Sequence, residues 1–408
     1  MKIVFVNRFY APDHSATSQM LTDLAAALAA MGVDVHVVTT RLRYDDAMAS
    51  LAPRELIDGV AVHRLWTSRF GRNNLLGRTC DYVSFYVTAS VALFRLVRPG
   101  DIIVAKTDPP LISVPAGWVA RIRGALLVNW LQDIFPEVAA ELGLKLARGV
   151  GGRLLGELRN GSLRNAAANV VLGRLMRERI AALGVEPKKI AVIPNWADGV
   201  ALQPMTRDAN PLRAAWGVSD KFVVGYSGNL GRAHDFATLL GAARALRAEA
   251  DIAFLVIGDG TQKRALMVAA MEHELPNLVW KPYQSRELLS QSLGIADVHI
   301  VTLRPELEGL VVPSKFYGIA AAARPVIAIT ARHGEIARLV EEHHCGFVIV
   351  PGQAAELATL LRRLSMDLQS LETMGRNARA MLDAHFTRRQ AFRRWDDVLG
   401  AMDNQLDR

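Results

Sequence analysis

Short apolar runs alternate with amphipathic stretches along most of the chain. "KIVFVN" is followed by helical spacing near Ser15–Met31 and then by "VDVHVVTT". "DIIVA", a helix near Ile112–Arg123 and "ALLVNWLQD" repeat that unit, and "ANVVL", "GRLMRERIAALG" and "KIAVIPN" repeat it again. The second half keeps the habit with "KFVVGYSG", "DFATLLGAARAL", "IAFLVIGDG", a helix near Lys263–Glu274, "NLVWKPY", "ADVHIVTL" and "PVIAI". Apolar runs of strand length predict strands buried on both faces, and the helices between them predict parallel pairing. The expected class is α/β with two Rossmann-like, doubly wound parallel sheets, whose ligands sit at the carboxyl ends of the strands. The stretch Asn195–Gly217 breaks the rhythm with Pro, Asp, Asn and Gly and no clear period, and reads as a linker. The expected domains are 1–195 and 196–385. A final helix over about 386–408, "TRRQAFRRWDDVLGAM", is free to pack back on the first domain.

A length of 408 residues supports two domains, and 51% apolar residues supply a sizeable core. The two cysteines, Cys80 and Cys345, fall in opposite halves, which predicts a reducing compartment without a disulfide framework. The start, "MKIVFVNRFY", reads as a first buried strand rather than a signal peptide. Charge sharpens the picture. Between residues 61 and 180, 17 Lys/Arg face 8 Asp/Glu, a local +9 in a chain of net +8. The basic half predicts phosphates and an anionic membrane surface as partners. Its arginines are spread over several elements with no aromatic-basic module, so no nucleic acid is expected. "YVSFYVTASVALF", Tyr82–Phe94, has 13 uncharged residues where a membrane span needs about 20. It reads as a buried or half-buried helix, or as one lying on the bilayer beside Arg69, Arg72, Arg78, Arg95 and Arg98.

Several turns carry candidate chemistry. "VIGDGTQK" is a strand, a Gly-x-Gly turn and a helix start. Gly258 and Gly260 allow close backbone approach, and Lys263 is either a solvated residue or a phosphate contact. "VVGYSGNLGRAHD" places a second Gly-rich turn after an earlier strand of the same half, with Gly228, Asn229 and Arg232. Two such turns in one sheet fit a diphosphate better than either alone, while the spacing lacks the nicotinamide fingerprint. Asp133, beyond the strand of "NWLQDIFPE", either caps the next helix or acts as an acid/base group. Asp13, His14 and Ser15 cluster at a helix entry, as caps or as contacts to an anionic acceptor. Lys106 and Asp108 in "AKTDPPLIS" read as structural.

Together, "TDPP", "LQDIFPE", "YSGNLG", "IGDG" and "EGLVVPSKFYGIAAAARPVI" resemble the retaining nucleotide-sugar glycosyltransferases of the GT-B fold, glycosyltransferase family 4. The likeness is to the branch of bacterial surface polysaccharides, with colanic-acid, O-antigen and fucosamine transferases. It spans essentially the whole chain. The resemblance implies a donor nucleotide on the C-terminal domain, an acceptor on the N-terminal domain, a cleft between them, and no metal or other cofactor; no Asp-x-Asp triplet occurs. The leaving diphosphate would then be neutralised by Arg232, Lys263 and Lys315 and by amides near Gly228–Asn229 and Gly260–Thr261. The family commonly shows two glutamates eight residues apart. The first, which touches the sugar, is matched by Glu306, with Glu308 close by as a further donor contact; the second, which grips the ribose, falls at Gly318. Ser314 and Lys315 are expected to serve ribose and phosphate instead, with Asp133 and Glu306 catalytic. Asn229 and His234 stand where many members carry Arg and Lys. Tyr283 is expected to stack on the base or simply pack, with UDP preferred over GDP. The implied reaction transfers a sugar, an N-acetylated hexose or deoxyhexose, from a UDP-sugar to a polyprenyl-diphosphate-linked or glycan acceptor. The expected place is cytoplasmic, peripheral on the inner face of the membrane. The alternatives are a UDP-sugar epimerase or hydrolase on the same fold, or a basic nucleic-acid-binding protein.

Overall fold

The computed structural model describes residues 2–406 apart from 14, 44, 45, 47 and 72–74, so His14 and Arg72 lie outside the described residues. The chain divides into two units, Met1–Ile193 with Phe392–Arg408, and Pro194–Ala391.

The first unit holds strands β1 (Lys2–Val6), β2 (Asp34–Thr40), β3 (Arg54–Ile57), β4 (Val60–Leu65), β5 (Ile102–Lys106), β6 (Leu126–Trp130), β7 (Ala168–Val171) and β8 (Ile190–Val192). Its helices are α1 (Ala16–Ala30), α2 (Leu75–Leu96), α3 (Ser113–Arg123), α4 (Glu137–Glu141), α5 (Gly149–Asn165) and α6 (Arg174–Ala182). The sheet order is β3-β4-β2-β1-β5-β6-β7-β8. All pairs are parallel except β3 with β4. Every residue of β5 is buried, as expected of a strand covered on both faces. Phe85, Ala89 and Leu93 of α2 and Ala116, Val119 and Ala120 of α3 close one core over Val4, Val6, Ile103 and Leu127. The uncharged run Tyr82–Phe94 thus lies inside a 22-residue helix with one buried face. Among the described residues no helix is long and apolar enough to cross a membrane.

The second unit is a six-stranded parallel sheet. Its strands are β9 (Phe222–Ser227), β10 (Ile252–Ile257), β11 (Leu278–Lys281), β12 (Val298–Thr302), β13 (Val326–Ile329) and β14 (Gly346–Ile349), in the order β11-β10-β9-β12-β13-β14. Around it lie α7 (Pro211–Ala215), α8 (Ala237–Ala245), α9 (Lys263–Glu272), α10 (Leu289–Gly294), α11 (Lys315–Ala321), α12 (Glu335–Glu342), α13 (Ala354–Ser365) and α14 (Leu368–His385). A last helix, α15 (Arg388–Leu406), belongs to the second unit up to Ala391 and to the first from Phe392.

The stretch Asn195–Gly217, read as a linker, belongs to the second unit and contains α7. Asn210 caps that helix by accepting from the Leu212 N–H at 3.0 Å. Buried Arg213 donates to the Ile295 carbonyl at 2.6 Å and lies 3.4 Å from the Asp297 carboxylate, which accepts from the Val223 N–H at 2.7 Å. Polar anchors more than seventy residues apart hold this segment, so no local period reveals it.

Both sheets reverse direction beside their first strand. In the second, β9 leads to β10 and β11 on one side, while β12 to β14 extend on the other. In the first, the reversal lies between β1 and β5. A crevice opens outside the carboxyl ends of strands at such a switch point.

Candidate active site

In the second unit, the loops after β9 and β10 are packed on each other. Gly228 N–H donates to the Ile257 carbonyl at 2.9 Å and Leu230 N–H to that of Asp259 at 2.8 Å. Gln262 returns two bonds, its N–H to Leu230 at 2.9 Å and its side-chain amide to Gly231 at 2.6 Å. The glycines follow from this contact. A Cβ on Gly258 would lie 2.0 Å from the Gly228 carbonyl oxygen, and one on Gly260 would lie 2.6 Å from that of Leu230. The Tyr226 hydroxyl braces the turn by donating to the Asn229 carbonyl at 2.8 Å.

This geometry sorts the expected phosphate ligands. Two of the four amides are taken: Gly228 N–H by Ile257, and Gly260 N–H by the Asp259 carboxylate at 2.7 Å. The Asn229 and Thr261 N–H groups have no protein partner among the described residues. Lys263 pairs with Asp259 at 3.0 Å and so holds its own loop, and this pair keeps the Asp259 carboxyl below its ordinary range. Arg232 is exposed and makes no ion pair among the described residues. Lys315 opens α11 and runs along the same turn; a Cβ on Gly228 would meet its Cγ at 3.4 Å. Lys315 reaches solvent, yet the protein around its ammonium is close enough that desolvation lowers its pKa. An anion would restore what desolvation removes. Half-exposed Tyr283 donates to the Asp259 carbonyl at 3.3 Å, which places its ring beside the Gly258–Gly260 turn. His234 is half-buried against the Thr302 carbonyl at 2.7 Å; desolvation lowers its pKa, so it stands as a neutral brace where the family resemblance suggested a cation.

The two glutamates after β12 part company. Glu306 is exposed and pairs with Arg304 at 3.5 Å, and the Arg304 N–H ties this turn to the Ala233 carbonyl at 3.0 Å. Glu308 is buried. Its carboxylate accepts from the Thr330 hydroxyl and, at 3.3 Å, from the Glu335 N–H at the start of α12. Burial raises its pKa, and protein partners take up the oxygens expected to face the donor. Ser314 precedes α11 without a side-chain capping bond.

In the first unit, Asp133 lines a cavity of about 30 Å³ with Lys106, Thr107, Asn129, Phe135 and Arg159. Its Oδ1 has no hydrogen-bond partner among the described residues. Burial, reinforced by the Asp108 charge and opposed by the Thr107 hydroxyl, pushes its pKa from 3.8 up to about 7. It does not cap α4, whose cap position is Pro136. Lys106 is buried, donates to the Thr17 carbonyl at 2.9 Å and lies 3.6 Å from the Trp130 ring centroid; burial holds its pKa far down. Buried Asp13 accepts from the Ser15 N–H at 2.8 Å, a cap-like role at the entry to α1. The Ser15 Oγ is buried and makes no bond among the described residues. Among the described residues no three His, Cys, Asp or Glu side chains gather as a metal site.

Comparison with known proteins agrees with this architecture. Residues 15–196 match the family described as glycosyl transferase 4-like domain, and residues 209–381 match glycosyl transferases group 1. The chain carries the two domains of a GT-B glycosyltransferase. It is 29% identical over 310 residues to WbjE of Pseudomonas aeruginosa, named a probable glycosyltransferase, covering 74% of this chain and 76% of that one. It is 28% identical over 410 residues to WcaI of Escherichia coli (strain K12), named for colanic acid biosynthesis glycosyl transfer, covering 96% and 98%. Among solved structures, Anabaena Alr3699/HepE in complex with UDP and glucose aligns with a TM-score of 0.74 at 19% identity, covering 98% of this chain and 100% of that one. The likeness to WcaI agrees with the colanic-acid part of the resemblance.

The braces Tyr226, Gln262 and Thr302 went unread in the sequence. Tyr226 falls in a strand and Gln262 in a turn, and only the loop-on-loop contact gives them a role.

Proposed function

We propose that this glycosyltransferase moves a sugar from a UDP-sugar to a polyprenyl-diphosphate-linked or glycan acceptor in bacterial surface-polysaccharide assembly. In this reading the reaction retains the anomeric configuration, needs no metal, and takes place at the inner face of the cytoplasmic membrane. The sugar is proposed to be an N-acetylated hexose or deoxyhexose. One observation carries the donor part: two interlocked Gly-rich loops at a switch point, with two open amides, Arg232 and Lys315 around them. The names of the relatives support the polysaccharide part, and the UDP complex of the structural neighbour supports the nucleotide.

In the proposed reaction the bond between the anomeric carbon and the diphosphate oxygen breaks, and its electron pair leaves with UDP. The acceptor oxygen forms the new bond and gives up its proton. Arg232, Lys315 and the Asn229 and Thr261 amides would meet the charge growing on the diphosphate. Asp133, poised at about 7, suits a group that takes a proton near neutrality. Glu306, exposed on the turn that precedes Lys315, is proposed to touch the sugar, Ser314 the ribose, and Tyr283 the base. Ser15 Oγ and Asp13 are proposed to meet the acceptor. Glu308 and Lys263 are assigned to holding the loops.

A thermal-shift screen of UDP- and GDP-sugars tests the reading. A UDP-sugar at 100 times its Kd should stabilise the protein by about 2.7 kcal/mol, and Lys315→Ala should weaken that effect. UDP release with a polyprenyl-linked acceptor should fall in Lys315→Ala and Asp133→Asn. Full activity in both variants would refute the site, and stabilisation by GDP-sugars alone would refute the base.

A further inference from the structure

The outward face of α2 has the wrong chemistry for water. Its inner face buries Phe85, Ala89 and Leu93, as a core helix should. Its outer face carries Leu76, Val83, Val87, Val91 and Phe94, spaced three to seven residues apart and all exposed, Val87 by 59%. Between Arg78 and Arg95 no charged side chain reaches solvent, because Asp81 is buried on Ser68 and the N–H groups of Phe70 and Gly71. At 1.5 Å per residue the row from Leu76 to Phe94 runs about 27 Å.

The row continues sideways. α3 packs beside α2 in the same core, and its Arg123 lies 5.0 Å over the Phe94 ring. Trp118 and Ile122, one turn apart, are exposed by 65% and 71%. α5 packs beside α3, where Ser162 donates to the Ser113 carbonyl at 3.1 Å. It exposes Val150, Leu154 and Leu158 at every fourth position. Single exposed apolar residues are ordinary; rows on three neighbouring helices mark an interaction surface. Arg95, Arg98, Arg121 and Arg153 are exposed on and beside these helices, and the exposed carboxylate of Glu157 is paired with Arg164 at 3.2 Å.

We infer that the α2–α3–α5 face lies on an anionic lipid bilayer, with the apolar rows in the headgroup–acyl boundary and the arginines on lipid phosphates. This deepens the membrane part of the proposed function by naming the surface. The charge complementarity selects the occupant. Apolar area and cationic rim add in binding to an anionic interface, whereas two copies meeting through this face would set arginine against arginine. The helices lie on the surface and do not cross it.

The full chain is sedimented with vesicles of phosphatidylcholine alone and with 30% phosphatidylglycerol. Wild type should pellet with the anionic vesicles, less so as salt rises. The double variant Val87→Glu/Val91→Glu should lose at least about tenfold in partitioning. Both positions are exposed, so the variant should fold, and an unchanged melting temperature would confirm it. Equal partitioning of the folded variant, or no binding by wild type, would overturn the inference. So would a wild-type dimer that this variant dissociates. Thermal shift by UDP-sugars is read on the same samples. Vesicle binding without any UDP-sugar effect would defeat the donor reading alone, and the reverse would defeat only the surface.

Discussion

Asp133 offers a measurement in which charge, burial and stability meet. In the unfolded chain its carboxyl titrates at its ordinary 3.8, and in the fold at about 7. A raised folded pKa means that folding favours the protonated form. The contribution is fully present below 3.8 and is lost as pH rises through 7. A tenfold change in proton affinity is about 1.4 kcal/mol, so the whole change is about 4 kcal/mol, an upper figure because local water can soften the burial. Asp133→Asn keeps the shape and removes the titration. Urea denaturation of both proteins at pH 5 and pH 8 should therefore show the variant gaining on wild type by about 2–3 kcal/mol as pH rises. The gain should appear mostly between pH 5 and 7. A stability difference that stays constant across that range would refute the claim that Asp133 is held in its acid form by burial.

Three variants in the second unit have further expected outcomes. Gly258→Ala drives a Cβ to within 2.0 Å of the Gly228 carbonyl, so the two loops must separate; UDP-induced stabilisation should largely vanish, and an unchanged thermal shift would contradict the interlocked geometry. Glu308→Ala leaves the Thr330 hydroxyl and the Glu335 N–H buried without their partner and should cost about 1–3 kcal/mol in denaturation. Glu306→Ala, which breaks only an exposed pair, should stay within about 0.5 kcal/mol, and equal losses would show that the two carboxylates do not differ as described.

The buried parallel strands were legible because apolar runs such as "IAFLVI" permit few other fates, and the Gly-rich turns were legible because their spacing follows a strand end. The β3–β4 pair was not, since "RELI" is mostly exposed and lies at a sheet edge, where the apolar signal is weakest. Glu306 and Glu308 look alike in sequence. What separates them is Thr330 and the start of α12, more than twenty residues on, which claim only the second. Asp133 was read at a strand end as either a cap or an acid/base group. The cap is excluded by Pro136, while the cavity and the neighbouring Asp108 that set its pKa come from other strands. For α2, the sequence left both a core helix and a surface-lying helix open, and the fold shows a helix with a core on one side and uncovered valines on the other.

The cross-loop bonds around Gly228 and Gly258 have an evolutionary consequence. Three of the four are made by main chain alone, and the fourth uses only Gln262. The exposed side chains of Arg232 and Thr261 take no part in them, whereas the Asn229 side chain packs against Gly231 and Gly260. Selection can therefore exchange Arg232 and Thr261, and on the proposed donor reading the preference for one donor over another, without disturbing the cradle. Gly258 and Gly260 cannot be exchanged in this way. A lineage built on this loop pair is free to diversify its sugars while its backbone stays fixed.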